Sequence, residues 1–204
     1  MIDYTEQIKN LCIDIIKNVP ELQHIDPDLI AYCIRTSRGT GGGRVASITA
    51  FMPKPNSLGD KVGLKPQRIL TPEKKVAVYM LQIYMPRFYK ESLAAKIDTI
   101  CHELWHISPD FDGTLRDGGV HYRTYQNDIN RLKKAYLHSK PDLGLLEFFK
   151  LKLDPDNVWG WMYPLPKPAN LDEVLESLGL PITGIKRSPV IQGAFKKIKI
   201  KEKK

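Results

Sequence analysis

Residues 99–113 read T-I-C-H-E-L-W-H-I-S-P-D-F-D-G, and within them His102, Glu103 and His106 stand in the spacing H-E-x-x-H. Residues four apart lie about one turn apart on an α-helix, so the two imidazoles can point the same way and share one metal ion. Neutral imidazole is a good zinc donor, and a catalytic zinc takes three protein ligands and keeps a fourth position for water. The metal lowers the pKa of that water to about 7, and an adjacent carboxylate takes its proton as it attacks a polarised carbonyl. Glu103 suits the base role because it neighbours His102 without sharing its direction. Two histidines and a glutamate also occur on solvated or packed helix faces. Uncharged Leu104 and Trp105 between the histidines, with strands before the helix, favour the metal.

A third ligand is required, and spacing decides among the candidates only in part. The metzincin pattern needs a glycine three residues and a histidine six residues past the second histidine; Pro109 and Asp112 stand there, which excludes that class. His121 fits best. It follows the turn Asp117-Gly118-Gly119 and opens a later helix, leaving room for the chain to return to the first. Asp110 and Asp112 are alternatives, with Glu147 and His138 behind them. The D-x-D-G at 110–113 lacks the later acidic positions of a calcium loop. Tyr122, Tyr125 and Arg116 are nearby donors that could face a developing oxyanion, and spacing does not choose among them. His24 has no partner in sequence and reads as a surface or turn histidine.

These residues need a scaffold. Residues 4–18 carry Ile8, Leu11, Cys12, Ile15 and Ile16 at helical spacing before Pro20. Residues 29–37 and 44–52 have strand character and are joined through R-G-T-G-G-G, which predicts a hairpin; no G-K-[ST] follows to make a phosphate loop. Residues 76–85 supply a third strand, the candidate edge along which an extended substrate would pair. The period then becomes helical, with Ser92 as N-cap, the motif in mid-helix and Pro109 as the stop. Leu93, Ile97, Ile100, Leu104 and Ile107 form its core stripe, with the histidines roughly opposite on a face of little bulk. A further helix is expected from about Tyr122 to His138, with Tyr125, Ile129, Leu132 and Tyr136 on one side. The prolines at 164–168 mark an edge between a domain of residues 1–163 and an extension of residues 164–204. That extension holds a short helix at 170–179 and a basic tail.

Composition bounds the rest. A chain of 204 residues, 42% hydrophobic and 26% charged, can bury its own core. No run approaches the roughly 18–20 apolar residues of a membrane span, and the N-terminus has no secretory pattern. Cys12, Cys33 and Cys101 are odd in number and form no C-x-x-C pair, so the expected compartment is the reducing cytoplasm. From Lys186 onward eight basic residues face only Glu202, so +7 of the +8 net charge falls in the last 19 residues. Such a tail can make weak, salt-sensitive contact with nucleic acid, or simply be a solvated terminus.

At H-E-L-W-H-I-S-P-D-F-D-G-T-L-R followed by G-G-V-H-Y, the sequence resembles the phage metallopeptidases, a zincin-like family of phages and prophages, over roughly residues 1–140. The resemblance implies an α+β fold of the minimal zincin type, with a small antiparallel or mixed sheet and an active-site helix carrying HELWH. It further implies one zinc held by His102, His106 and His121, Glu103 as base, and a protein or peptide substrate. The SprT-like proteases are a more distant likeness: they usually add a cysteine zinc ribbon, and no cysteine follows Cys101 here. The expectation is therefore a zinc-dependent metallopeptidase. Its rival is a non-enzymatic nucleic-acid-binding protein with a structural metal, which would need a fourth protein ligand that the sequence does not offer.

Overall fold

The computed structural model describes residues 1–36, 43–52, 69–71, 73–116, 125–154, 157–162 and 196–199. Expectations falling on other residues, including His121, Tyr122, the prolines at 164–168 and the helix at 170–179, lie outside them. The described residues form an α+β arrangement of small mixed sheets and several helices.

Helix α1 (Tyr4–Asn18) begins where the Asp3 carboxylate accepts from the Thr5 and Glu6 amides at 3.0 and 3.1 Å. Its apolar stripe of Ile8, Leu11, Cys12, Ile15 and Ile16 is buried, as the spacing predicts. Strands β2 (Ile30–Thr36), β3 (Ala46–Ala50) and β6 (Tyr79–Met85) make the principal sheet, in the order β2-β6-β3. β2 runs parallel to β6 and β3 antiparallel to it. The expected hairpin of β2 with β3 is therefore not formed: β6 lies between them. Strand β6 is buried at every position but Tyr84, as a central strand covered on both faces should be.

The remaining strands are short. β4 (Ile69–Leu70) pairs antiparallel with β5 (Val76–Ala77), so the expected strand at 76–85 is split in two. β1 (Ile2–Asp3), β7 (Val158–Met162) and β8 (Lys196–Lys199) form a second sheet in the order β1-β7-β8. Four residues of the basic tail are thus a strand paired antiparallel with β7. Gly160 in β7 has no room for a side chain: a Cβ there would lie 2.6 Å from Thr5 Oγ1 and 2.7 Å from Ile34 Cδ1.

After β6 come a single turn, α2 (Arg87–Lys90), and the motif helix α3 (Leu93–Trp105). Helices α4 (Tyr125–His138) and α5 (Leu143–Lys150) follow. Ile97, Ile100, Leu104 and Ile107 pack into one core with α1, Ile129, Leu132 and Tyr136 of α4, and Ile34, Leu81 and Ile83 of the sheet. Cys12, Cys33 and Cys101 are all buried. No helix among the described residues is long and apolar enough to cross a membrane.

Candidate metal centre

The Ser92 hydroxyl accepts from the Ala95 amide at 3.2 Å and starts α3 as its spacing predicts. The other end differs from expectation. Regular helix stops at Trp105, four residues short of Pro109, and His106 is the C-cap. The motif is therefore on the last turn, not in mid-helix. What stops the helix is the loop that folds back on it. Ile107 bridges Leu115, and the Arg116 amide donates to the His106 carbonyl at 2.8 Å.

That loop is pinned to the sheet. The Tyr79 hydroxyl accepts from the Gly113 amide and donates to the Thr114 carbonyl, at 3.0 and 2.8 Å. Gly113 has φ +83, and a Cβ on it would lie 2.5 Å from Met52 Cγ. The D-F-D-G stretch is thus a tight turn, in which Asp112 accepts from the amide and hydroxyl of Thr114 at 3.0 and 2.7 Å.

On this platform the Nε2 atoms of His102 and His106 stand 3.1 Å apart. Their rings are edge to face, with centroids 4.9 Å apart. At that distance one ring nitrogen can donate to the other, with the tautomer setting which, and with both rings deprotonated at Nε2 the pair could share a cation. The face is more crowded than its small residues suggest. His106 is only 7% exposed, Trp105 lies against its ring, and the Tyr125 ring meets His102 edge-on at 5.6 Å.

Glu103 points elsewhere, toward β3. It is buried, and its Oε2 accepts from the Ile48 amide of β3 at 2.8 Å. Val45 and Phe51 make their backbone bonds toward β6, so the intervening even positions of β3, Ile48 included, direct their amides outward. Burial pushes the Glu103 carboxyl up to about 7, against the pull of the Ile48 amide and the Arg44 charge. Nothing in the sequence signalled the Ile48 contact, since the partner is a backbone group set by sheet pairing.

Tyr125 stands beside His102, at the start of α4. Arg116 donates through Nε to the Trp105 carbonyl at 2.8 Å, and its guanidinium lies 5.4 Å from the Trp105 ring centroid. Its visible work is to hold the helix end. Asp110 and Glu147 are exposed, Glu147 pairing with Lys150, and His138 Nδ1 sits 2.7 Å from the Lys134 carbonyl. No group of three metal-ligating side chains is assembled among the described residues. Asp110, Asp112, Glu147 and His138 therefore do not complete the histidine pair. His24 is half-buried near Ser108 and Arg116; burial lowers its pKa, with hydrogen bonds to backbone opposing.

No curated protein and no solved structure matches this chain. A family model does: the one described as putative phage metallopeptidase covers residues 3–136, more than half of the chain, including α1, the principal sheet, α3 and most of α4. The chain therefore belongs to the phage metallopeptidase family.

Proposed function

We propose that this protein is a zinc-dependent peptidase of the minimal zincin type, with His102, His106 and His121 as metal ligands and Glu103 as general base. The observation that carries the reading is the approach of the two Nε2 atoms to 3.1 Å, with the carboxyl of the intervening Glu103 buried and held by the Ile48 amide. The donor set fits zinc, and His121 supplies the third imidazole from the segment between the loop and α4. The metal, when bound, supplies Lewis acidity toward a substrate carbonyl and acidifies water.

The chain's own residues do the rest. Glu103 accepts a proton from water and passes it to the leaving amine, and a carboxyl that titrates near 7 suits both halves of that task. Tyr125, whose ring packs on His102, takes the role of donor to the oxyanion. An extended peptide substrate lies along β3 rather than β6, because among the described residues β6 has a strand on both sides and β3 is at an edge. A substrate backbone that takes the Ile48 amide displaces the Glu103 carboxylate and frees it to act.

The test is the metal content of tag-free protein, measured with His102→Ala and His121→Ala, alongside a peptide-library cleavage screen. About one zinc per chain, lost in both variants, with cleavage that a chelator stops, is the expected result. Folded wild type that binds no transition metal would overturn the reading. Zinc retained in His121→Ala would remove His121 from the ligand set.

A further inference from the structure

At the opposite end of α3 from His106, the corner between α2 and α3 and the C-terminal end of α5 border an open cavity of about 620 Å³. Its size is that of sites for small organic ligands. Four lysines line it, Lys90, Lys96, Lys150 and Lys152, against one acid, Glu91. Lys90, Lys150 and Lys152 are exposed at the rim, and Lys150 reaches Glu147 on the outer surface of α5.

Lys96 is different. It is 4% exposed, its Nζ donates to the Phe149 carbonyl at 2.8 Å, and it lies 5.7 Å from the Tyr89 ring centroid. Both partners are neutral, and an ammonium has three hydrogens to place. The ion pairs among the described residues do not include Lys96. Burial accordingly pushes its pKa down, with Glu91 opposing. Buried cations are ordinarily paired with an anion, and here the space for one is the cavity itself. The first turn of α3 opens on the same space, and its positive end adds to the field. Tyr89, Phe149 and Leu153 give the cavity an apolar wall.

We propose that this cavity binds a small organic phosphate, with the phosphate against Lys96 and the rim lysines and the apolar body against Tyr89 and Phe149. Four lysines against one acid favour a dianionic phosphate over a single carboxylate. The site is separate from the histidine pair and does not depend on the metal.

Adenosine monophosphate is a suitable probe, added to the full-length protein as purified and followed by titration calorimetry and amide chemical shifts at low and high salt. Saturable binding that weakens with salt is expected, with shifts confined to residues 89–96 and 149–153. Lys96→Gln, which keeps a donor for the Phe149 carbonyl, and the rim double variant Lys90→Ala/Lys152→Ala should each weaken binding about tenfold or more. If Lys96→Gln fails to fold, the rim variant carries the test, since both of its residues are exposed. Absence of saturable binding at millimolar probe overturns the proposal. So does binding that the rim variant leaves unchanged, or shifts that map to the basic tail instead.

Discussion

Ile48 and Glu103, 55 positions apart in the chain, are joined by a 2.8 Å hydrogen bond from the outward amide of the sheet's edge strand to the buried carboxylate of the motif helix. The bond holds the carboxylate against β3 and ties the motif helix to the principal sheet.

Glu103→Gln should leave the fold and the metal in place, because the glutamine carbonyl oxygen accepts from the Ile48 amide as the carboxylate does. Peptide hydrolysis should fall by about 10²- to 10⁴-fold, the ordinary contribution of a general base. Cleavage assays with parallel metal analysis decide it. A variant that cleaves like wild type would take the base role away from Glu103.

The same substitution has a signature in metal-free protein. Burial raises the Glu103 pKa from an ordinary 4.5 to about 7. Between those values the folded state holds a proton that the unfolded chain has released, so stability falls as pH rises through that window. Above it the full cost remains, up to about 3 kcal/mol. Chelator-treated Glu103→Gln should therefore melt above wild type at pH about 8 and close to it at pH about 5. Equal melting curves at both pH values would show that the carboxyl is not strained by burial.

The two ends of the motif helix show how much could be read in advance. Ser92 was legible because an N-cap is a local event: one hydroxyl, one amide three residues on, one break in the apolar pattern. The halt at Trp105 was not, because it depends on Arg116 and the Ile107–Leu115 bridge, which periodicity within the helix does not report. The strands show the same division. Their positions were evident, but the order β2-β6-β3 is a matter of long-range pairing, and the R-G-T-G-G-G stretch pointed to the wrong neighbour. A usable signal was present in Y-M-L-Q-I-Y-M, whose nearly unbroken apolar run marks a central strand. Asp142, which caps α5 by accepting from the Leu145 amide at 3.0 Å, was also available. Strand β7 was hidden by Gly160, a residue that weakens strand propensity and is there because Thr5 and Ile34 approach so closely.

Gly160→Ala tests that approach. The added methyl meets Thr5 Oγ1 and Ile34 Cδ1 well inside contact distance, and Thr5 is already engaged by the Trp161 amide at 2.8 Å. A loss of about 1–3 kcal/mol is expected, read by chemical denaturation. Metal content should be unchanged, since β7 lies in the other sheet. A variant as stable as wild type would mean that the sheets separate without cost.

Arg116→Lys separates two roles for one residue. Lysine keeps the charge but loses the planar stack on Trp105 and the fixed Nε donor to its carbonyl. If the arginine holds the helix end, the melting temperature should drop by about 2–4 °C and metal should bind more weakly, while kcat at saturating metal stays near wild type. A collapse of kcat with stability and metal affinity intact would place the guanidinium on the substrate instead.

The early halt of α3 has an electrostatic result. Peptide dipoles summed along a helix leave about half a negative charge at its C-terminal end, and here that end coincides with His102 and His106. The pole favours a cation, or a protonated imidazole, at this spot, and it does so through backbone alone. Had the helix run on to Pro109, the pole would have moved a turn beyond the two rings. By folding back at Trp105, the chain brings its own main-chain field to bear where the imidazoles converge.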